Sequence, residues 1–336
     1  MSDFFIETQK ASVNLPLNGR AKVFMFGVPS YSNMGDQAVS LAERKYFENE
    51  FPDYQYIEIM DYDNAAAIKA VQKIITSQDI VAFTGGGNMG SLYTNIEQDR
   101  RKVFASFINN LTISFPQSIF FEKTEKGENE KTLSRIAYEK NPNLVLIARD
   151  AQSYRKMQKT FKNQVIFTPD MVLYLQAQKF DLKRHDTLFV FRNDGEKVVQ
   201  EPLIDSIKHM LSDSDSIHQT DTVLASTKQV TPVTREKLFI DELKMFAKQK
   251  LIISDRFHAM IFSVLTGTPC LLFGNRYGKG KHAYFDWLEN IDWVNYTDEE
   301  DLDRIQAEIV KISEAQVHQY NLRPVFKPLH DLIAVR

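Results

Sequence analysis

The sequence has almost no cysteine. Cys270 is the single cysteine among 336 residues, which excludes a disulfide framework and a metal site built from clustered thiolates, and which predicts a reducing compartment. The seven histidines include no pair at H-x3-H or a comparable ligand spacing, so no metal site is expected. We therefore expect neither a metalloprotein nor a disulfide-stabilised secreted protein.

The sequence also has no large excess of charge of one sign and no long apolar run. The 41 basic and 44 acidic residues leave a net charge of −3, which gives no electrostatic reason to expect nucleic acid as the main partner. The longest apolar runs, such as 23–26 and 144–148, are far shorter than the ~20 residues of a membrane helix. The start, MSDFFIETQK, lacks the features of a signal peptide. We expect a cytoplasmic protein without a membrane-spanning segment.

The sequence does contain a regular alternation of strand-like and helix-like segments. Short β-branched and aromatic runs, which predict buried strands, occur at 21–26, 54–59, 79–84, 111–115, 143–148, 165–168, 187–192, 222–225, 250–254 and 269–273. The segments between them have helical periodicity. Strands separated by helices of this length indicate an α/β fold with mostly parallel sheets and helices on both faces.

The polar segment 176–186 divides this alternation into two series. We therefore predict two Rossmann-like lobes with a central cleft, an N-terminal lobe over 1–178 and a C-terminal lobe over 179–336. A final helix at about 297–318 has room to pack across both lobes. The charged run EKTEKGENEK at 122–131 is interpreted as a solvated loop.

Ligands of parallel α/β sheets bind beyond the carboxyl ends of the strands, where helix N-termini present free N–H groups. After the first strand, Asn33 or Ser32 can cap the next helix, Gly35 permits close approach of a ligand, and Asp36 lies in the first helical turn. A purely structural cap, with Asp36 complementing the helix dipole, is the alternative. Arg192 and Asp194 follow the first strand of the second lobe, with surface ion pairing as their alternative.

The glycine-rich segment GGGNMG at 85–90 formally matches G-x-G-x-x-G. It follows the third strand rather than the first, and position 105 is an alanine without an acidic residue close by, so dinucleotide binding is not expected. Three glycines in a row still need a reason, because glycine loses the most entropy on ordering. We interpret them as backbone amides exposed to an anion or a sugar hydroxyl, with a tight turn as the alternative.

An Arg-x-His pair follows the strand at 250–253. Ser254 or Asp255 is placed to cap the helix that comes next. Arg256 and His258 then lie in its first turn, where the helix dipole, a guanidinium and an imidazole would all favour one anion. The acidic segments 61–63 and 213–215 resemble the carboxylate pairs that hold a metal–nucleotide, but they fall in polar turns and are weaker candidates.

Seven segments together resemble the polysaccharide pyruvyl transferase family. In chain order they are SNMGDQA (32–38), GGGN (85–88), FPQS (115–118), ARDAQSY (148–154), TPD (168–170), SDRFHAMIFSVLTGTPCL (254–271) and RYGKGK (276–281). The S-D-R-x-H block with its downstream G-T-P is the most specific of them. The first motif departs from the family, which usually has a glycine where Ser32 stands.

The resemblance implies a two-lobed fold of the glycosyltransferase-B type. It also implies transfer of a pyruvyl group from phosphoenolpyruvate to two hydroxyls of a sugar, which makes a cyclic ketal and releases phosphate. The acceptor would be a bacterial exopolysaccharide, capsule or cell-wall precursor, and no redox cofactor would be required. Phosphoenolpyruvate carries a phosphate and a carboxylate, so its site needs at least two cationic anchors.

Candidate residues for these roles lie in both lobes. His258 and Arg256 are the catalytic candidates, with His258 as the acid or base near neutral pH. Arg192, Arg256 and Lys279 would bind phosphoenolpyruvate on the C-terminal lobe. Asn33, Asp36, Gly87 and Asn88 would bind the sugar on the N-terminal lobe, where Tyr31 and Tyr93 could stack on it.

Two alternatives stay open at this point. A nucleotide-sugar glycosyltransferase on the same fold would leave the Arg-x-His pair without a specific role. A non-catalytic binder of a sugar or phosphometabolite in the same assembly pathway would bind without turnover. We expect a saccharide acceptor, lipid-linked or polymeric, and a lipid-linked one would draw the protein to the inner face of the membrane. A homo-oligomer is compatible with the sequence.

Overall fold

The first half of the chain forms a seven-stranded sheet. The computed structural model describes residues 15–16, 18–212, 216–224 and 230–335. The strands are β1 (Lys22–Val28), β2 (Gln55–Met60), β3 (Ile80–Phe83), β4 (Gly86–Gly90), β5 (Thr112–Phe120), β6 (Leu144–Ala148) and β7 (Gln164–Phe167). Six of them pair in parallel in the order β2-β1-β3-β5-β6-β7, and β4 pairs with β5. Most are apolar runs, as a parallel sheet covered on both faces requires.

Five helices cover this sheet, and three of them begin at a side-chain cap. They are α1 (Met34–Glu50), α2 (Asn64–Val71), α3 (Thr94–Ser106), α4 (Glu125–Glu139) and α5 (Ala151–Thr160). Thr124 caps α4 by accepting a hydrogen bond from the Gly127 N–H at 3.1 Å. The interpretation of 122–131 as a solvated loop is therefore wrong, because a helix begins inside that run.

The second half forms a five-stranded parallel sheet. Its strands are β8 (His185–Val190), β9 (Ile217–Thr220), β10 (Gln249–Ser254), β11 (Cys270–Phe273) and β12 (Val294–Thr297), in the order β12-β11-β10-β8-β9. The helices are α6 (Glu201–Leu211), α7 (Pro232–Ala247), α8 (Phe257–Thr266), α9 (Lys279–Ala283), α10 (Leu302–Glu314) and α11 (Lys327–Ala334). The strand expected at 222–225 is wrong at 222–224, since pairing with β8 occurs earlier, at β9, and position 225 lies outside the described residues.

One buried hydrophobic cluster spans the two sheets, and each sheet has a further cluster of its own. The shared cluster contains Val23 and Met25 from β1 together with Leu188 and Val190 from β8, and it continues through α1 and α8. Helix α10 packs on β11 and β12, and the chain then returns to the first lobe. There the His330 ring lies 5.1 Å from that of Phe51. The predicted two-lobed α/β fold is confirmed. Among the described residues, no helix has both the length and the apolarity to cross a bilayer.

Candidate active site

All eight predicted site residues line one cleft between the lobes, with a volume of about 410 Å³. The first lobe contributes Asn33, Asp36, Gly87 and Asn88, and the second contributes Arg192, Arg256, His258 and Lys279. Six of them follow the carboxyl end of a strand or lie at a helix start, where parallel sheets bring polar groups together, and Gly87 and Asn88 lie within β4. The structure therefore brings together residues that are separated by up to 246 positions in the sequence.

The start of α1 is held by the second lobe. The Asn33 side chain caps the helix by accepting a hydrogen bond from the Gly35 N–H at 3.0 Å, as predicted. The Met34 N–H donates to the Thr222 carbonyl at 2.9 Å, and the Leu224 N–H donates to Ser32 at the same distance. This backbone pairing fixes the Asn33–Asp36 segment against the wall that carries Arg256 and His258.

The start of α8 differs from the prediction. Arg256 itself occupies the N-cap position, and no side chain caps the helix. Ser254 instead accepts a hydrogen bond from the Arg256 N–H at 2.9 Å, while Asp255 accepts one from the Arg192 N–H at 2.9 Å. The expected capping by Ser254 or Asp255 is therefore wrong. Burial raises the pKa of Asp255 to about 6, although its hydrogen bond from Arg192 opposes the rise.

His258 lies beside a buried ion pair. The Arg149 guanidinium contacts the Asp170 carboxylate at 2.6 Å, and the same Asp170 oxygen is 3.7 Å from Nε2 of His258. Burial would raise the pKa of Asp170, but the adjacent His258 imidazole and the charge of Arg149 hold it well below its usual range. Asp170 is therefore a fixed negative charge beside the imidazole.

Gly35 leaves the space that the His258 ring occupies. A Cβ atom at position 35 would lie 2.2 Å from Nδ1 of His258 and 2.6 Å from Cγ. Contacts of that length do not occur between such atoms, so only glycine fits while the ring keeps its position. Gly35, the glycine of the first motif, thus makes room for His258, the catalytic candidate on the opposite lobe.

Carboxylates surround the two arginines of the second lobe. Asp221 accepts hydrogen bonds from Nε and Nη2 of Arg256 at 2.7 and 2.6 Å. Glu196 lies 2.7 Å from Nη1 of Arg192. Asp194 accepts hydrogen bonds from both guanidiniums, at 2.8 Å from Nε of Arg192 and 3.2 Å from Nη1 of Arg256. The cations of the cleft are therefore matched by internal anions.

Lys279, also on the second lobe, belongs to the same cluster. Its ammonium lies 3.3 Å from Glu196, which also accepts a hydrogen bond from the Tyr93 hydroxyl at 3.1 Å. Burial and the nearby Arg149 lower the pKa of Lys279, while Glu196 opposes that effect. A Cβ atom at Gly87 would lie 2.6 Å from Nη2 of Arg149, so this glycine makes room for the cations.

The glycine-rich segment does not present its amides as expected. The Gly85 N–H donates to Glu43 at 2.7 Å, and the Gly90 N–H donates to Glu97 at 3.1 Å. The Asn88 N–H donates to Gln117 at 3.3 Å. Among the three consecutive glycines interpreted as an anion or sugar site, the interpretation is therefore wrong for Gly85, whose amide is taken by Glu43. The segment is instead the short strand β4.

Comparison with known proteins identifies the family. A profile of the family described as polysaccharide pyruvyl transferase matches residues 33–277. General stress protein 30 of Bacillus subtilis is 47% identical over 318 residues, which cover 95% of this chain and 93% of that protein. The chain belongs to the polysaccharide pyruvyl transferase family. Pyruvyl transferase 1 of Schizosaccharomyces pombe is 30% identical over 287 residues, which cover 80% of this chain and 70% of that protein.

The two lobes of this pyruvyl transferase family member also match solved structures of low sequence identity. UDP-GlcNAc 2-epimerase of Methanocaldococcus jannaschii, solved with UDP-GlcNAc and UDP, superposes with a TM-score of 0.53 at 8% identity, covering 94% of this chain and 99% of that chain. At this identity the likeness concerns the fold alone, which is the glycosyltransferase-B type. Lys279 lies just beyond the span of the family match.

Sequence reasoning missed four charged residues of this pyruvyl transferase site. Arg149 and Asp170 closely follow β6 and β7, so the rule applied to the other strands could have selected them. Nothing in the sequence marked Glu196 and Asp221 as site residues except their location in polar turns. Residues 61–63 lie outside the lining of this cleft, and 213–215 lie outside the described residues. Among the described residues, no three His, Cys, Asp or Glu side chains are grouped to hold a metal ion.

Proposed function

We propose that the chain transfers the pyruvyl group of phosphoenolpyruvate to a sugar diol, forming a cyclic ketal and releasing phosphate. The observation that carries this proposal is the gathering of four cations around His258 and Asp170, opposite a wall of amide and carboxylate groups. The four cations are Arg149, Arg192, Arg256 and Lys279. A donor with a phosphate and a carboxylate uses such a set, because each anionic group needs its own charge-assisted contacts.

We assign the donor to the second lobe. Arg192 and Arg256 are forked donors suited to phosphate or carboxylate oxygens, and Lys279 adds a point charge from α9. The N-terminus of α8, with its free backbone N–H groups and the positive end of the helix dipole, faces the same donor position. His258 in the first turn is then beside the enol carbon of the bound donor.

The chemistry requires one proton to be delivered to carbon and two to be removed from the hydroxyls, and the leaving phosphate takes up the remaining proton. Protonation of the methylene carbon makes the methyl group and leaves a positive enol carbon, to which one sugar hydroxyl adds with loss of its proton. The bond from this carbon to the phosphate oxygen then breaks, phosphate leaves, and the second hydroxyl adds with loss of its proton. His258 moves these protons, and the fixed charge of Asp170 stabilises the imidazolium form.

We assign the acceptor to the first lobe. Arg100 is buried and donates a hydrogen bond to Oδ1 of Asn88, which leaves the Asn88 Nδ2 group free to serve as a donor to a sugar oxygen. Asp36 can accept from sugar hydroxyls, and Tyr31 and Tyr93, 39% and 43% exposed, offer ring faces for stacking. The acceptor is a saccharide precursor, lipid-linked or polymeric, and the reaction takes place in the cytoplasm.

The proposal is tested by phosphate release from phosphoenolpyruvate in the presence of a panel of methyl glycosides with free vicinal or 4,6-diols. We expect release that depends on one class of glycoside, with a matching pyruvyl ketal detected by mass spectrometry. The variant His258→Asn should lose at least about 100-fold in turnover, the scale of a lost general acid or base. Normal turnover in that variant would remove His258 from its role.

A further inference from the structure

Asp194 bridges the two arginines assigned to the donor. Its Oδ1 accepts a hydrogen bond from Nε of Arg192 at 2.8 Å, and its Oδ2 accepts from Nη1 of Arg256 at 3.2 Å. Its side chain is 45% exposed and lines the cleft. A carboxylate held by two guanidiniums on the open side of a site has the position that an anionic ligand group would take.

Each arginine also pairs with a second carboxylate. Arg256 is held through Nε and Nη2 by Asp221, which does not line the cleft. Arg192 is held through Nη1 by Glu196, which is largely buried. Asp194 therefore takes the guanidinium N–H groups that these two carboxylates leave, which are Nε and Nη2 of Arg192, at 2.8 and 3.3 Å, and Nη1 of Arg256. Without Asp194, Arg256 keeps both hydrogen bonds to Asp221, and Arg192 keeps its ion pair with Glu196.

The turn that carries Asp194 has room to move. Asp194 also accepts a hydrogen bond from the Glu196 N–H at 3.0 Å, so it closes its own short turn. A Cβ atom at Gly195 would have no neighbour within 4 Å, which leaves open space beside the turn. Displacement of the carboxylate need not disturb the core.

We propose that Asp194 occupies the anion position between Arg192 and Arg256 in the free protein and that a donor phosphate displaces it. The inference rests on the proposed function for the identity of the donor. Displacement is favourable for a group with more charge and more acceptor oxygens than one carboxylate. Asp194 thus selects a phosphate over simple carboxylates, and it weakens the binding of every anion at this position.

The test is isothermal titration of phosphoenolpyruvate and of inorganic phosphate into the wild type, Asp194→Asn and Asp194→Ser. Both variants keep an oxygen that can accept from the Glu196 N–H, and both remove the negative charge. We expect the Kd of both anions to fall by about tenfold, the scale of one competing charge-assisted contact. An equal or higher Kd in both variants would overturn the inference, because a carboxylate that orients the arginines would weaken binding on removal.

Two controls separate this effect from others. Asp205→Asn, on the exposed face of α6, should leave both Kd values unchanged, and Asp221→Asn should raise them because Arg256 loses its anchor. Tightening by Asp221→Asn to the same degree would show a general charge effect and overturn the inference. Tightened binding of inorganic phosphate without any binding of phosphoenolpyruvate would uphold the role of Asp194 and refute the donor. No binding of either anion by any protein would refute both.

Discussion

Gly35 and His258 show how single residues from opposite lobes depend on each other. The glycine precedes Asp36 in the first motif, and sequence reasoning gave it the role of admitting a ligand. The structure gives it a different role, since the His258 ring fills the space in which a side chain would lie. The residue was correctly selected from its position after β1, but its partner is 223 residues away and could not be inferred from spacing.

At this scale we predict that Gly35→Ala displaces the His258 ring. A shift of about 1 Å in a catalytic group costs on the order of 100-fold in turnover, and overpacking should cost about 1–3 kcal/mol of unfolding free energy. Phosphate release and urea denaturation measure the two effects. Gly19→Ala is the matched control, because a Cβ atom there meets nothing within 4 Å. Equal activity of the two variants would contradict the placement of the ring.

Glu43 gives a pH-dependent prediction. Its carboxyl is fully buried under the glycine-rich segment, and burial raises its pKa to about 8, although hydrogen bonds from Gly85 and Thr84 oppose the rise. Between about pH 4.5 and 8 the folded protein therefore holds a proton that the unfolded chain lacks. By linkage, this group's contribution to stability is full below the unfolded pKa and is lost as pH rises through 8.

We predict that Glu43→Gln reduces this loss of stability. A glutamine can accept from the Gly85 N–H and donate to the Thr84 hydroxyl, so it should keep both contacts without a charge to bury. The wild type should lose on the order of 3 kcal/mol relative to Glu43→Gln between pH 5 and 8, measured by urea denaturation. The exposed Glu300→Gln serves as the control. If the free energy of unfolding changed with pH in the same way for wild type and Glu43→Gln, the raised pKa of the buried carboxyl would be contradicted.

At the scale of elements, helix α4 is a helix that apolar periodicity does not reveal, because its buried face is polar. Its buried face carries Glu130, Ser134 and Tyr138, so it has helical spacing but little apolar character. Glu130 pairs with Arg101 at 2.7 Å, and the Ser134 and Tyr138 hydroxyls both donate to the buried Glu97 at 2.6 Å. Apart from β4, β9 and β12, the strands and most helices were predictable from apolar periodicity. This helix start was not, because polar partners on α3 replace the apolar stripe.

A capping substitution tests this helix. We predict that Thr124→Ala lowers the free energy of unfolding by about 1 kcal/mol, because the Gly127 N–H loses its hydrogen-bond acceptor. Thr132→Ala, at an exposed position inside α4, should be neutral or slightly stabilising because alanine is the better helix former. Chemical denaturation compares the two. Equal effects from both variants would favour the solvated loop.

For the whole molecule, contacts between the lobes fix the cleft. Arg235 on α7 is fully buried and donates to Gln37 on α1 at 2.7 Å and to Glu58 on β2 at 2.8 Å. Gln37 in turn donates to the carbonyls of Pro29 and Tyr31 at 2.8 Å. The second lobe therefore positions the loop that precedes α1. Pairs separated by 177 or 198 positions leave no signal in one sequence, so this part of the structure was unpredictable.

Removing one partner of this buried pair should be costly. We predict that Arg235→Met lowers the free energy of unfolding by about 3–5 kcal/mol, because the Glu58 carboxylate is left buried and unpaired. The double variant with Glu58→Met should recover much of that loss. Lys131→Met, which breaks an exposed pair with Glu128, should cost less than about 1 kcal/mol. A double variant as unstable as the single would contradict this explanation.

The central claim is that the cleft between the lobes binds phosphoenolpyruvate through Arg256. The most direct test is thermal stability of the wild type and Arg256→Ala with phosphoenolpyruvate, compared with uridine and guanosine diphosphates. Arg304→Ala, on the exposed face of α10, is the control. At a hundred times its Kd the donor should add about 2.7 kcal/mol of stability to the wild type and to the control, and none to Arg256→Ala. Stabilisation by a nucleoside diphosphate alone would contradict the claim and favour a nucleotide-sugar glycosyltransferase.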